Sequence, residues 1–503
     1  ESGARSSRVH VLGFLQMGVM SMASSTGRRD SWIEENTLTI LDASGENDSR
    51  HIHDDRAAFL EAVRASSIVP EQGTRPTYYT REKAFYNALC LLQGHSSKIY
   101  EAIFRILKDW KSLELIMGSY CLLNELEKRY PRVYASDLNN HDSSLNIDVV
   151  VVKESWLPFS LGLDGCSERG LTNRDAGGRI DFSGFNHLIL KLAEVADGAN
   201  SYTSETKVSL QFLANMLLFQ YLIGVLEGDF LPRYRAYNET TNWTFLRESL
   251  LNILVGSRRI NFKGLIKDSL SILCCVHSQF FRDLMHLDDS SAKPCGNHDK
   301  SVEIALVEAG NSTSNAMQRF MVMIMELDIA KQKANLDGHT TRSDGVRTPL
   351  IEILIDEVAY SNDTLSAFLQ AFNEPKWKLE IVLQYFSKYM AKPSCRTRRS
   401  TESMEDVTLD GVLTCFSNIN SAKSIIKKIG PMVAQLLLAH AFQAYLLSPR
   451  FGVNEYIGES CSEISKKLIS AFDCLRKTDE DFEILPLGKE ALFTAATIIS
   501  AKS

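Results

Sequence analysis

The sequence predicts an all-α protein, built as an armadillo- or HEAT-like helical solenoid with degenerate repeats. Apolar residues recur with the 3.6-residue spacing of amphipathic helices over most of the chain. Only 12 prolines and 28 glycines interrupt 503 residues, fewer than the turns of a β-rich protein would require. Apolar faces return every few tens of residues without a sharp consensus, as expected for helical hairpins that stack on their neighbours. A compact multi-helix domain is the competing architecture.

The N-terminal part is predicted to hold an extension followed by helices. Residues 1–33 are rich in Ser, Gly and Arg, and we expect a disordered or non-native extension there. The N-terminal helical region spans 34–135. Two amphipathic stripes, Ile99 to Leu107 and Leu113 to Leu126, predict an αα-hairpin whose second helix ends before Pro131.

A polar segment separates this region from the helices that follow. Residues 136–184 contain clusters of Asp, Asn, Gly and Ser and are predicted to form a long loop or linker. Their one β-branched run, Ile147 to Val152, is the only strand candidate, and no partner strand is predicted for it. The central helical repeat region spans 185–391, with Thr241 or Asn242 as a candidate N-cap. Its helices are predicted from 185 onward and at 210–227, 241–255, 262–287, 301–334, 350–359, 364–372 and 376–389.

The C-terminal part begins with a linker in which basic residues precede acidic ones, at 392–407. The C-terminal helical region then spans 408–503. Its helices are predicted at 409–416, 424–447, 460–475 and 489–501.

Charge and composition narrow the range of partners. The net charge of -7 excludes a bulk electrostatic attraction to nucleic acid or anionic membranes. The 10 cysteines are scattered without a short-range framework, which fits a reducing compartment. The longest apolar stretch, Leu210 to Leu226, is shorter than the ~20 residues of a membrane span. It contains three polar residues, and we predict a buried helix and no membrane contact.

The common catalytic motifs are absent, so we predict that the chain is not an enzyme and binds no cofactor or small-molecule substrate. The nearest approach to a zinc site comprises Cys274, Cys275, His277, Cys295 and His298. Adjacent helical cysteines point about 100° apart, which suits packing better than shared ligation. Cys395 lies among arginines that would lower the pKa of its thiol, or it is a linker thiol without a role. A helical enzyme with a Cys or zinc site is one of the functional hypotheses that the sequence leaves open.

Three groups of residues are candidates for contacts with partners. The first is Arg342, Asp344 and Arg347 in a polar loop between helices, and the second is Trp377 with Lys378 beside Pro375. The alternative for the loop charges is that they are simply solvated, and the alternative for Trp377 is that it packs in the core. The third is a basic run that would act as a nuclear-import signal, a phosphate-binding patch or a solvated linker: Lys392, Arg396, Arg398 and Arg399.

Several long strings in the chain resemble one plant family, the armadillo-like suppressors that restrain systemic acquired resistance. They include ENTLTILDASGENDSR, NWTFLRESLLNILVGSRRINFK and EILPLGKEALFTA. The full set occupies residues 35–50, 54–71, 99–108, 242–263, 322–349, 373–399, 427–431 and 483–495. Residues 1–33 have no counterpart in the family pattern, and residues 78–95 look inserted into it.

The resemblance implies a nuclear, non-enzymatic scaffold that lowers expression of defence and recombination genes. It also implies a subunit of the plant SMC-five/six complex that takes part in the DNA damage response. The expected partners are a paired non-SMC element and SMC-five/six subunits, with only indirect contact to DNA. The alternative is a transcriptional repressor that binds DNA directly through the basic run at 392–399.

Overall fold

The computed structural model describes most of the helical regions of the chain. The described residues are 37, 49–67, 96–109, 111–136, 148–152, 155–161, 178–196, 206–276, 297–341, 344–345, 347–390, 407–448, 457–478 and 482–501. They form two compact units. The first extends to Thr348, and the second runs from Pro349 onward and includes Leu273–Ser278. The predicted domain boundaries, which differ from this division, stay predictions.

The first unit contains nine helices and one two-stranded sheet among its described residues. Their bounds are α1 Ser49–Ser67, α2 Ser96–Lys108, α3 Leu113–Arg129, β1 Val133–Ser136, β2 Asp148–Val151, α4 Phe182–Ala196, α5 Thr206–Thr240, α6 Trp243–Arg247, α7 Leu250–Gly256, α8 Phe262–Val276 and α9 Asn297–Leu336. The predicted αα-hairpin of α2 and α3 is confirmed, since the two helices pack together.

The second unit contains eight helices among its described residues. They are α10 Leu350–Val358, α11 Asn362–Ala371, α12 Pro375–Tyr389, α13 Leu409–Ser417, α14 Ile419–Ile429, α15 Pro431–Leu447, α16 Ile457–Thr478 and α17 Pro486–Ser500. α15 is buried along most of its length between α12, α16 and α17. The all-α fold class is therefore confirmed, and the armadillo or HEAT repeat type stays a prediction.

The core of the first unit is a layer of three parallel helices. Tyr120 of α3 donates a hydrogen bond to Gln220 of α5 at 3.0 Å, and Arg132, just after α3, contacts Asp229 of α5 at 3.5 Å. Because both residue numbers rise together, α3 and α5 run parallel. α5 and α9 are also parallel, since the pairs Gln220–Thr313 and Tyr237–Ala330 are both 93 positions apart. Stacking of non-consecutive helices in parallel is the arrangement expected of a solenoid.

The helix α5 occupies the centre of this layer. Its most apolar 18-residue window is 67% buried, which confirms the predicted buried helix, although its length and composition also suit a membrane span. The helix extends past the predicted end at Glu227, through Pro232 to Thr240. Tertiary burial of residues such as Phe230 and Tyr237 outweighs the local cost of the proline.

The expectation that Ile147 to Val152 has no partner strand was wrong. β2 pairs antiparallel with β1, and Val133 lies opposite Val151. One face of this sheet is buried because Val133 and Val149 pack against Ala236 of α5 and Phe245 of α6. The partner strand was missed because its four residues follow directly on a helix.

Two predicted helices are in fact pairs of shorter helices. The segment 241–255 divides into α6 and α7, each with its own N-cap: Asn242 accepts from the Thr244 N–H at 3.1 Å, and Ser249 accepts from the Asn252 N–H at 3.2 Å. Asn242, rather than Thr241, is thus the cap of α6. The segment 424–447 is divided at Gly430, whose φ of 83° turns α15 by 106° relative to α14.

Candidate interaction surfaces

Asp344, in the polar loop after α9, is buried and forms an ion pair and hydrogen bonds within the first unit. Its side chain is only 3% exposed and forms an ion pair with Arg247 at 3.0 Å. It also accepts hydrogen bonds from the backbone N–H of Thr341 at 2.6 Å and from its hydroxyl at 3.0 Å. Burial alone would raise the pKa of Asp344, but the hydrogen bonds from Thr341 and the charge of Arg247 hold this pKa below its usual value.

Arg347 is held by two interactions in the same unit. Its guanidinium forms a fork with the carboxylate of Asp328, with nitrogen–oxygen distances of 2.5 Å and 3.1 Å. The guanidinium carbon also lies 4.2 Å from the centre of the Phe262 ring, which is a cation–π contact. Asp344 and Arg347 therefore hold the loop in place, and their predicted role in partner binding stays a prediction. Arg342 lies outside the described residues.

Trp377 and Lys378 lie in the first turn of α12 in the second unit. Trp377 is only 3% exposed, and the ammonium of Lys376 lies 4.9 Å from the centre of its ring. Burial lowers the pKa of Lys378 to about 8. The pKa of His440 in α15 is lowered to about 4, mainly because the side chain is buried. The positive charge of the neighbouring Lys378 lowers this pKa further. The contact role predicted for Trp377 and Lys378 stays a prediction.

The remaining predicted sites lie mostly outside the described part of the chain. This is so for the basic run Lys392, Arg396, Arg398 and Arg399, and for Cys395. Of the candidate zinc ligands, only the side chain of Cys274 is described, and its sulfur lies 3.9 Å from the carbonyl oxygen of Thr364. Within the described residues, no group of three or more His, Cys, Asp or Glu side chains could hold a metal ion.

A groove that the sequence did not predict follows the layer of parallel helices. It has a volume of about 560 Å³ and is lined by residues of α3, α5 and α9. Its polar lining includes Tyr120, Asn124 and Glu127 on α3 and Arg319 on α9. Arg319 is already neutralised by Glu227, with a nitrogen–oxygen distance of 2.5 Å.

The floor of the groove contains three residues that weaken a helix. Gly224, Gly228 and Pro232 of α5 all line it. In a helix interior a glycine costs about 1 kcal/mol relative to alanine, and a proline costs about 3 kcal/mol. Packing does not require these glycines: a Cβ added at Gly224 would lie 3.9 Å from the Asn124 side chain, and one at Gly228 would lie 3.8 Å from Glu127, both ordinary contacts. The groove is open because side chains are missing there.

The Glu127 carboxylate and the backbone of Gly228 lie side by side at this floor. Pro232 has no N–H, so the carbonyl of Gly228, one turn earlier, lacks its helical donor. No described residue forms a hydrogen bond or an ion pair with the carboxylate of Glu127 that lies beside it. Burial raises the pKa of Glu127 to about 7, Arg132 opposes this rise and Asp229 adds to it. Two glycines four residues apart, followed by a proline inside an apolar helix, are the sequence signal that could have indicated this groove.

Comparisons with known proteins identify relatives of the chain. The model of the SNI1 middle domain matches residues 132–374, and the model of the SNI1 C-terminal domain matches residues 390–503. The negative regulator of systemic acquired resistance SNI1 from Arabidopsis thaliana is 43% identical over 475 residues, which cover 94% of this chain and 95% of that protein. No solved structure matches the chain significantly.

Proposed function

Because the chain belongs to the SNI1 family of negative regulators of systemic acquired resistance, we propose that it is a non-enzymatic nuclear scaffold that restrains defence-gene expression. The observation that carries the scaffold role is the layer of parallel helices α3, α5 and α9. Contacts between these helices are spaced regularly along their length, and a groove remains open beside them. Such layers present extended surfaces to protein partners.

The finer part of the proposal concerns the assembly that the scaffold joins. The chain is a subunit of the SMC-five/six complex, bound to a paired non-SMC element, and it acts in recombination and the DNA damage response. Restraint of transcription then follows from its place on chromatin, without direct reading of DNA sequence. The resemblance found in the sequence and the net charge of -7 support this proposal.

Reconstitution of the purified chain with the plant SMC-five/six subunits tests the assembly. We expect the full chain to co-elute with the paired non-SMC element in size-exclusion chromatography and to bring that element to the SMC subunits. If the chain elutes alone from mixtures that contain every subunit, the assignment to this complex is wrong. A transcript assay in plants that lack the gene tests restraint of defence genes separately.

The candidate contact residues call for a test that separates binding from folding. Asp344 and Arg347 are engaged within the first unit, so substituting them would also disturb the loop. Arg342→Glu and Lys378→Met, which removes the charge of a half-buried side chain and keeps its length, are the cleaner variants for partner contact. Weakened binding at unchanged thermal stability would support a contact role, and unchanged binding would remove both residues from the proposed surface.

A direct DNA-binding repressor is the second candidate, because four basic residues lie close together at 392–399. If all four contacted phosphates, the logarithm of the binding constant would fall with the logarithm of salt concentration with a slope of about −4. Alanine at Lys392, Arg396, Arg398 and Arg399 would abolish that dependence. A gel shift with the isolated chain at moderate salt distinguishes the two candidates, since the scaffold role predicts no shift.

A further inference from the structure

The groove between α3, α5 and α9 is lined by a carboxylate and by a helix turn that a proline interrupts. Glu127 and Gly228 both line it. The Glu127 carboxylate has no hydrogen-bond or ion-pair partner among the described residues, and Pro232 cannot donate to the Gly228 carbonyl. A group that donates several hydrogen bonds and carries a positive charge would satisfy both. The rings of Tyr120 and Tyr221, which also line the groove, suit a flat cation.

We propose that this groove is a docking site for a single arginine side chain of a protein partner. A guanidinium presents five donors in a planar fork, which matches a carboxylate beside a backbone carbonyl better than the compact ammonium of lysine does. The inference deepens the proposed scaffold function, since it names the chemistry by which that scaffold would hold a partner.

The rim of the groove restricts which arginine can bind. Lys128 and Arg235 are exposed there and carry positive charge, whereas the charge of Arg319 is offset by Glu227. A tract of consecutive basic residues would be repelled by this rim. The favoured ligand is therefore one arginine with acidic or neutral neighbours, which also separates this site from one that would bind a polybasic signal.

The two glycines provide the space for the ligand. A methyl group at Gly228 would lie 3.8 Å from the Glu127 carboxylate, in the space that the guanidinium would occupy. It would do so without a clash inside the fold. Gly224→Ala and Gly228→Ala should therefore block binding while they leave the helix intact or more stable.

Selection from a random 16-residue peptide library on the full-length chain tests the proposal. We expect peptides with one central arginine and acidic neighbours to be enriched. Replacing that arginine by citrulline, its neutral isostere, should weaken binding about tenfold or more, and Glu127→Gln should weaken it to a similar degree. Gly228→Ala should weaken binding as well.

Matched controls come from the same unit. Glu114→Gln alters an exposed carboxylate at the other end of α3, and Gly256→Ala alters a helical glycine with open space around it. Both variants should bind the selected peptides as the unmodified chain does. Enrichment of peptides without arginine, or arginine peptides that bind Glu127→Gln equally well, would overturn the proposal.

The same peptides separate this inference from the proposed function. If arginine peptides bind in the groove but do not displace any SMC-five/six subunit from the chain, the docking site stands and the assembly is held elsewhere. If the assembly forms but no arginine peptide binds, the scaffold function stands and the groove is not its docking site.

Discussion

Within the described part of the chain, an acid and a base are each largely buried without a hydrogen-bond partner. Glu127 and His440 lie in different units, yet burial disfavours the charged form of both side chains. For Glu127 the pKa rises towards neutrality, and for His440 it falls well below it. The free energy of unfolding should therefore respond to pH in opposite directions at the two residues.

The first prediction concerns Glu127→Gln. The pKa of Glu127 is about 7 in the folded chain and ordinarily 4.5, so the folded form holds this proton more tightly. Its contribution to stability is present at low pH and is lost as the pH rises through about 7. We expect the glutamine variant to be more stable by about 3 kcal/mol at pH 8 and equally stable below pH 4.5. Urea unfolding at both pH values measures the difference, and a variant less stable at pH 8 would contradict the prediction.

The second prediction concerns His440→Leu. Neither ring nitrogen of His440 has a hydrogen-bond partner among the described residues, and its pKa is about 4 instead of 6.5. The unfolded chain therefore binds a proton first as the pH falls below 6.5, and about 3 kcal/mol of stability is lost by pH 4. Leucine removes that loss. Thermal melts at pH 7.5 and pH 4.5 should show a smaller decrease for the variant, and an equal decrease would show that protonation of His440 does not cause the loss.

At the scale of helices and strands, Asp229 connects several elements. It accepts a hydrogen bond from the Leu250 N–H at the start of α7 at 2.7 Å. It also lies 3.5 Å from Arg132, beside β1, and 3.5 Å from Arg233 on its own helix. Arg233 in turn donates to the carbonyl of Phe245 in α6. A single carboxylate thereby joins α5, α7 and the sheet.

The third prediction follows from this network. Asp229→Ala would remove the carboxylate that two guanidinium groups and the N–H at the start of α7 share, and a buried ion pair broken in this way costs about 3–5 kcal/mol. Asp229→Asn, which keeps an acceptor of the same shape, should cost less. Chemical denaturation of both variants measures this order, and equal losses would show that only charge matters.

Most helices could be predicted from the sequence, because the spacing of apolar residues within a segment shows which face of a helix is buried. The pairing of β1 with β2 could not, since it joins two short segments that local spacing does not relate. The break at Gly430 was missed because apolar residues continue on both sides of it. The groove was missed for a further reason: Glu127 and Gly228 are brought together by helix packing that no local pattern encodes.

At the scale of the whole chain, the two units have separate cores. Phe230, Phe245 and Phe320 are fully buried in the first, and Phe368, Phe386 and Phe416 in the second. A chain of this organisation need not unfold in a single two-state transition.

The fourth prediction is that calorimetry separates two transitions. Asp229→Ala should lower the melting temperature of only one of them, and His440→Leu at acid pH should raise that of only the other, because each residue is buried in a different unit. If either substitution moved both transitions together, the units would be cooperative with each other.

The parallel pairing of α5 and α9 has an electrostatic consequence. Since partners remain 93 positions apart, Thr240 and Lys333 lie at the same end, and both helices finish there. Their peptide dipoles add instead of cancelling, which concentrates about one negative elementary charge at that end. Lys331 and Lys333 lie in the last two turns of α9, whereas Arg247 and Arg347 pair with Asp344 and Asp328. The two lysines therefore place positive charge beside the negative end of the helix pair.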